Sequence, residues 1–233
     1  MATSGSPATA RARARADITA DITDAARRQL AEHGAAALSL RAVAREVGMV
    51  SSAVYRYFTS RDELLTALIV EAYDALGAEA ERAAVASRRR SPARRWSAVA
   101  GAIRSWALAH PHEYALLYGS PVPGYHAPEA TTASGTRPSM ALLSVVRDAA
   151  AARDLSPTPT PQVSAALARD LRVLRREISL EVDDGVMVAA LVAWTQLFGL
   201  VSFEVFGQTR GLIDDHDALF AAMTSQMAAS IGL

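Results

Sequence analysis

The sequence contains no cysteine and no lysine. The first absence excludes a disulfide framework, a thiolate metal site and a cysteine nucleophile. The second means that all 24 basic residues are arginine, balanced by 24 acids to a formal charge of zero. Catalytic signatures are missing as well: there is no GxSxG elbow, no Gly-rich phosphate loop and no HExxH. The five histidines are scattered, with His110 and His112 flanking Pro111 and His33, His126 and His216 far apart in the chain. The paired acids Asp183–Asp184 and Asp214–Asp215 stand where helix N-caps belong, and that role accounts for them. A protein that is not an enzyme, with no cofactor and no metal, is the expectation. No apolar stretch follows the RARARA run at 11–16, so this end does not read as a secretory signal.

About half of the 233 residues are hydrophobic, enough for one good core and a small satellite domain. Charge is unevenly spread. Nine arginines face six acids through Asp62, whereas fifteen face eighteen in the remainder. A basic excess near the N-terminus suits an end that meets nucleic acid. Residues 1–16 read as a disordered basic arm, able to follow DNA into a minor groove or to remain a solvated tail.

The most informative stretch is Ser39 to Phe58, SLRAVAREVGMVSSAVYRYF. Ser39 is placed to cap a helix, Leu40, Val43, Ala44 and Val47 share one face, and Gly48 falls where a left-handed residue ends it. Ser51 reads as a second cap, with Ser52–Phe58 making about two turns that point Val54 and Phe58 to one side. This is a helix-turn-helix pattern, although spacing alone also fits a plain helical hairpin. Upstream, Ile18, Ile22, Ala26 and Leu30 predict a helix over 17–33. Downstream, SRDE predicts a capping box, Ser60 capping and Glu63 reaching back, at the start of a helix running to about Arg82.

From Ile18 through Leu65 the chain resembles the TetR family of bacterial transcriptional regulators. Gly34 after the first helix, SLRAVAREVG, VYRYF and SRDELL occur in order at the family's spacings. Tyr57 stands where His is common, and the turn reads GMVSS instead of a GVS-type string. Both departures bear on which bases or phosphates are touched. The resemblance implies phosphate contacts for Tyr55, Tyr57 and Arg61, and groove contacts for Arg41 and the Ser51, Ser52, Ala53 segment. A second and looser similarity, HPHEYALLYGSPVPGY, is to the ligand-binding domain of one TetR subgroup.

The rest of the chain reads as helices. SRRRSPARR at 87–95 is a solvated basic loop. A helix carrying Trp96, Val99, Ile103 and Trp106 ends before Pro111, a short one covers 111–118, and a Gly/Pro loop follows. Arg137–Leu155 is helical, SPTPTP interrupts it, and 162–178 is a charged helix. Asp184–Phe206 is long and apolar enough to span a membrane, but acidic flanks and Glu204 favour a helix buried on all sides. Asp214–Ile231 carries a four-residue apolar stripe. In the resembled family the last two helices pair with those of a second copy, which makes Leu191, Phe198, Val201, Val205, Leu219, Met223 and Met227 the expected dimer contacts. Trp106, Tyr114, Tyr118, Met140, Trp194 and Phe198 are the ligand-pocket candidates, with plain core packing as the alternative for each.

The expected fold is all-α: a small helix-turn-helix domain at 17–62, joined by a fourth helix to a larger ligand-binding and dimerisation domain at 63–233. The resemblance implies a cytoplasmic homodimeric regulator, a repressor released from palindromic double-stranded DNA by a small hydrophobic effector. A helical dimer that binds a protein partner, its helix-turn-helix merely structural, is the alternative.

Overall fold

The computed structural model describes residues 7–156 and 162–233, with side chains from Thr9 onward. The described residues form ten α-helices, one 3₁₀ turn at Ala35–Ala37 and no strand. The helices are α1 (Pro7–His33), α2 (Leu40–Glu46), α3 (Ser51–Val54), α4 (Arg61–Ala86), α5 (Pro92–Ala109), α6 (Pro111–Tyr118), α7 (Thr131–Ala151), α8 (Ala165–Glu177), α9 (Asp184–Val205) and α10 (His216–Ile231). The all-α class expected from the sequence is the observed one. Apart from Ser156, the SPTPTP interruption lies outside the described residues.

Packing divides the chain into two units. The first runs through Ala72 and takes in His112–Thr132; the second holds Tyr73–Pro111 and Ala133–Leu233. The expected boundary at 62/63 is therefore displaced. The first half of α4 belongs with the helix-turn-helix because Leu64, Leu65 and Leu68 pack into the same core as Ile22, Val43, Val54 and Phe58. Leu116, Val122 and Tyr125 pack against that core too, and the Tyr125 hydroxyl lies 2.9 Å from Thr66 Oγ1. Arg27 of α1 pairs with Asp24 on its own helix, Glu71 of α4 and Glu113 of α6. A second correction concerns the arm: residues 7–16 are the first turns of α1, with no break at Asp17.

In the second unit α10 packs on α9 and α5, α5 on α9, and α8 on α9. The core is formed by Trp96, Val99 and Ile103 of α5, Leu142, Val145 and Val146 of α7, Met187, Ala193, Leu197 and Val201 of α9, and Met227 and Ile231 of α10. Helix α9 is the one described helix long and apolar enough to cross a membrane. It is not covered all round within the chain. Val192, Gln196, Gly199, Phe203 and Phe206 form an exposed row opposite the buried face. Glu204, the acid in this apolar run, accepts two hydrogen bonds from Arg104 of α5, from Nε at 2.7 Å and Nη2 at 2.6 Å. Arg104 also donates to Asp217 of α10 at 2.7 Å and lies over the Phe220 ring. One guanidinium thus ties α5, α9 and α10, and its pairing keeps it charged well beyond the usual arginine range.

The Arg104 and Glu204 side chains are only 14% and 12% exposed, so removing one leaves the other uncompensated. Arg104→Ala is expected to cost about 3 kcal/mol, the low end for a broken buried pair. Replacing both, as R104M/E204L, is expected to cost less than that single change. Thermal melting of the three proteins by circular dichroism checks the order.

Candidate functional site

The helix-turn-helix is built on a short α2 with a defined end. Gly48 adopts a left-handed conformation (φ 69°). Its N–H donates to Arg45 O at 3.2 Å and that of Met49 to Ala44 O at 2.8 Å. This paired closure satisfies two carbonyls that the helix end would otherwise orphan, and glycine adopts it without strain. At the other end Ser39 occupies the cap position, but its hydroxyl makes no capping bond. Instead its main-chain N–H donates to Gln29 Oε1 of α1 at 3.5 Å.

Helix α3 has four residues and begins at Ser51, with Val50 in the cap position, so Ser51 is its first residue and not its cap. Residues 55–57 continue as a turn, with Tyr57 N–H donating to Val54 O at 2.9 Å and Phe58 N–H to the same oxygen at 3.1 Å. Val54 and Phe58 are buried as the pattern required. The segment therefore turns Ser52, Tyr55 and Arg56 to solvent, with Ser51, Ala53 and Tyr57 half-buried. Tyr57 packs partly against the core. Arg41 is exposed on α2 and has no partner among the described residues.

Arg61 behaves differently from the other six DNA candidates. Its Nη2 donates to Ala35 O at 2.8 Å and Ala36 O at 3.3 Å, and its Nε to Leu38 O at 3.2 Å. Most of its donors are engaged inside the head, where they satisfy the turn between α1 and α2. Next to it Ser60 Oγ accepts from Glu63 N–H at 3.1 Å, as a capping box requires. Glu63 reaches back one residue further than expected, to the N–H and hydroxyl of Thr59 at 2.6 and 2.7 Å. These bonds hold the Glu63 carboxyl below its usual range. Their contribution to the start of α4 is present above the ordinary carboxylate range and fades as pH falls through the lowered value.

Sequence reasoning missed Arg15. Its Nη2 donates to Arg56 O at 3.2 Å, and its guanidinium lies 4.9 Å from the centroid of the Tyr57 ring. The RARARA run was the available signal, hidden by its being assigned to an arm.

The second unit contains a cavity of about 350 Å³. Its walls are Trp96 of α5; Gly135, Thr136, Ser139, Met140, Leu142 and Leu143 of α7; Leu174 of α8 with Ile178 just beyond it; and Met187, Ala190, Leu191 and Trp194 of α9. Of the pocket candidates, Met140 and Trp194 are in the wall. Trp106 is buried in packing beside His110. Phe198 lies behind Trp194, in edge contact at 6.1 Å. Tyr114 and Tyr118 belong to the other unit, one turn apart on α6 with their rings tilted against each other at 5.0 Å. Of the expected dimer contacts, Leu191 lines the cavity, and Phe198, Val201 and Met227 are buried within the chain. Val205, Leu219 and Met223 are half-buried. The wall formed by Leu174 and Ile178 was legible as an i, i+4 pair in a helix that its charges disguised.

A two-helix reading motif on a compact head, carried by a chain whose other unit encloses an apolar cavity, defines a helix-turn-helix regulator. Residues 22–68 match the tetR family of bacterial regulatory proteins, and residues 96–227 match the tetracyclin repressor-like C-terminal domain. HTH-type transcriptional regulator Rv1816 of Mycobacterium tuberculosis is 44% identical over 224 residues, covering 93% of each chain. The crystal structure of a protein described as regulatory, SCO4313, superposes with a TM-score of 0.73 at 36% identity, over 92% of this chain and 97% of that one. A protein of unknown function from Rhodococcus sp. RHA1 gives 0.68 at 26% identity, over 92% and 95%. The chain belongs to the TetR family: it is a transcriptional regulator with a helix-turn-helix DNA-binding domain. Its families and relatives are regulators, not enzymes.

Because Arg61 is the donor for three carbonyls, Arg61→Ala is expected to lower the stability of the head by about 1–2 kcal/mol. Lys at this position restores only part of it, since an ammonium cannot reproduce the planar fork. Urea denaturation of the three proteins measures the difference.

Proposed function

We propose that this regulator is a cytoplasmic homodimeric repressor, released from a palindromic operator when an apolar small molecule fills the cavity of the second unit. The observation that carries the ligand half is the cavity wall. Nearly all of it is apolar, with the Thr136 and Ser139 hydroxyls as the exceptions, and its size is that of a small-molecule site. At about 30 Å³ per water-sized group, 350 Å³ accommodates roughly a dozen such groups.

Helix α7 is the natural relay. Its 135, 136, 139, 140 and 143 positions face the cavity, while Arg137 grips α4, donating to Glu81 at 2.9 and 2.8 Å and to Asp74 at 2.7 Å. The two helices touch at Gly77, where an added Cβ would lie 2.6 Å from Arg137 Cβ. A ligand that displaces α7 therefore acts on α4, and it shifts the population only as far as it binds one arrangement better than the other.

In this reading Ser52 and its neighbours Ser51 and Ala53 meet base edges, Arg41 enters the groove, and Tyr55 and Tyr57 hold phosphates. Tyr55→Phe removes a phosphate contact, which positions without specifying. Its affinity is expected to fall alike for every sequence, while a change at Ser52 alters preference among them. The test is titration of the purified protein, at several salt concentrations, against the duplex just upstream of its own coding region and a scrambled duplex. Equal and salt-independent binding of both would count against a phosphate-reading head. A screen of apolar compounds for release from the preferred duplex tests the ligand.

The dimer is proposed to form through the exposed row of α9, Val192, Gly199, Phe203 and Phe206, against its copy, with Ala218, Ala222 and Ala229 exposed on α10 beside it. Small residues allow close helix approach, and the row is long enough for a helix to lie along. Two heads would then enter major grooves about 34–36 Å apart. Phe203→Glu places a charge in that row. Light scattering is expected to report a monomer, with operator binding lost; a dimer that persists would place the interface elsewhere.

A further inference from the structure

We propose that the first turns of α1 are an extension of the DNA-reading surface, in which Arg11 and Arg15, but not Arg13, hold phosphates flanking the helix-turn-helix site. The inference rests on the DNA-binding role of the head. Helix α1 runs unbroken from Pro7 to His33. Its face toward the head core carries Ile22, fully buried, then Ile18, half-buried. One turn earlier on that face Arg15 spans to the recognition segment, bonding Arg56 O at 3.2 Å and covering Tyr57 at 4.9 Å. That contact fixes where the face leads. It leaves the apolar core and arrives beside the two residues that follow Tyr55.

Arg11 is the next residue along. At about 100° per residue it lies within about 40° of Arg15 and about 6 Å further out. It is exposed and has no partner among the described residues. Arg13 is turned about 160° away from Arg15, onto the face that it shares with Asp17 four residues on. The Arg11–Arg15 side has no such acid: its later positions are Ile18 and Ile22. Only one of the two faces therefore lacks an acid within a turn of its arginines, and it is the one continuous with the reading surface. A polyanionic duplex seated on α3 is the occupant that this charge fits. The rigid helix holds the charges in place, so they act at defined phosphates instead of as a diffuse cloud.

The experiment uses the full chain and a duplex recovered by selection from random sequences, with affinity measured by fluorescence anisotropy over a range of salt. Arg11→Ala is the primary variant because Arg11 is exposed and makes no hydrogen bond or ion pair among the described residues. It is expected to reduce the slope of log affinity against log salt by about 1.8, the value of one phosphate contact in each head of the dimer. Across a tenfold rise in salt the variant then loses about sixtyfold less affinity than the unmodified protein. Arg15→Ala is expected to reduce the slope similarly, Arg15→Lys to retain it, and Arg13→Ala to leave it unchanged. An unchanged slope for Arg11→Ala overturns the proposal, and so does an equal loss for Arg13→Ala, which would mean unspecific attraction. A selection that enriches no duplex would sink the DNA-binding role of the head and this proposal with it.

Discussion

The recognition segment cannot hold its own shape. A four-residue helix lies far below the length at which helices are stable in water, so its orientation is set by what it buries. Val54 and Phe58 are those anchors, sunk into a core supplied by α1, α2 and α4. Everything that presents Ser52 and Tyr55 outward follows from this pair and from the closed end of α2 at Gly48, which brings the chain round without losing backbone hydrogen bonds. Arg61 and Gln29 then tie the turn that precedes α2. The head holds its shape because its loops are bonded, although α2 and α3 are short.

The second unit solves a different problem. Apart from the charged α8, its helices are long, with apolar buried faces, and they are registered by ion pairs at the margins of the core. Arg104 fixes α5 to α9 and α10, Arg95 joins α5 to Asp148 of α7 at 2.6 Å, and Arg175 holds Asp184 at the start of α9 at 2.8 Å. The cavity lies among α5, α7, α8 and α9, which these pairs connect but do not close. An all-arginine basic complement suits this arrangement. A planar fork can bridge two carboxylates at once, as Arg104 and Arg137 both do, and an ammonium cannot do so with the same geometry.

Much of the head was legible because its signals are local. Periodicity, a turn glycine and a capping box depend on residues within a few positions of one another, and Val54, Phe58, Gly48 and Ser60 act as the sequence implied. Arg61 shows the limit. Its position marks it as basic and near the recognition segment, but the carbonyls it serves lie more than twenty residues upstream and leave no trace in the local pattern. The pocket was harder for the same reason. Tyr114 and Tyr118 look well placed beside a Gly/Pro loop, yet α6 packs on the head. Composition could not say that α9 is two-faced either, since both faces are apolar; only packing separates Val201, inside, from Phe203, outside.

That two-faced character bears on how the chain can assemble and respond. The buried side of α9 supplies Met187 and Ala190 to the cavity wall, and the exposed row occupies its other side. If the exposed row is the subunit contact, a molecule in the cavity presses on the helix that sets the spacing between the two heads, as well as on α7 and its grip on α4. Both routes use helices that the cavity already touches, so neither requires a separate relay. Their relative weight depends on which wall yields. Helix α7 is held to α4 by one arginine with two carboxylates and a glycine contact, and it contains Pro138, which cannot donate to the preceding turn. Helix α9 is packed by α5, α8 and α10 and pinned at Glu204. Should α7 be the wall that yields, its displacement reaches α4 through the Arg137 contacts with Asp74 and Glu81.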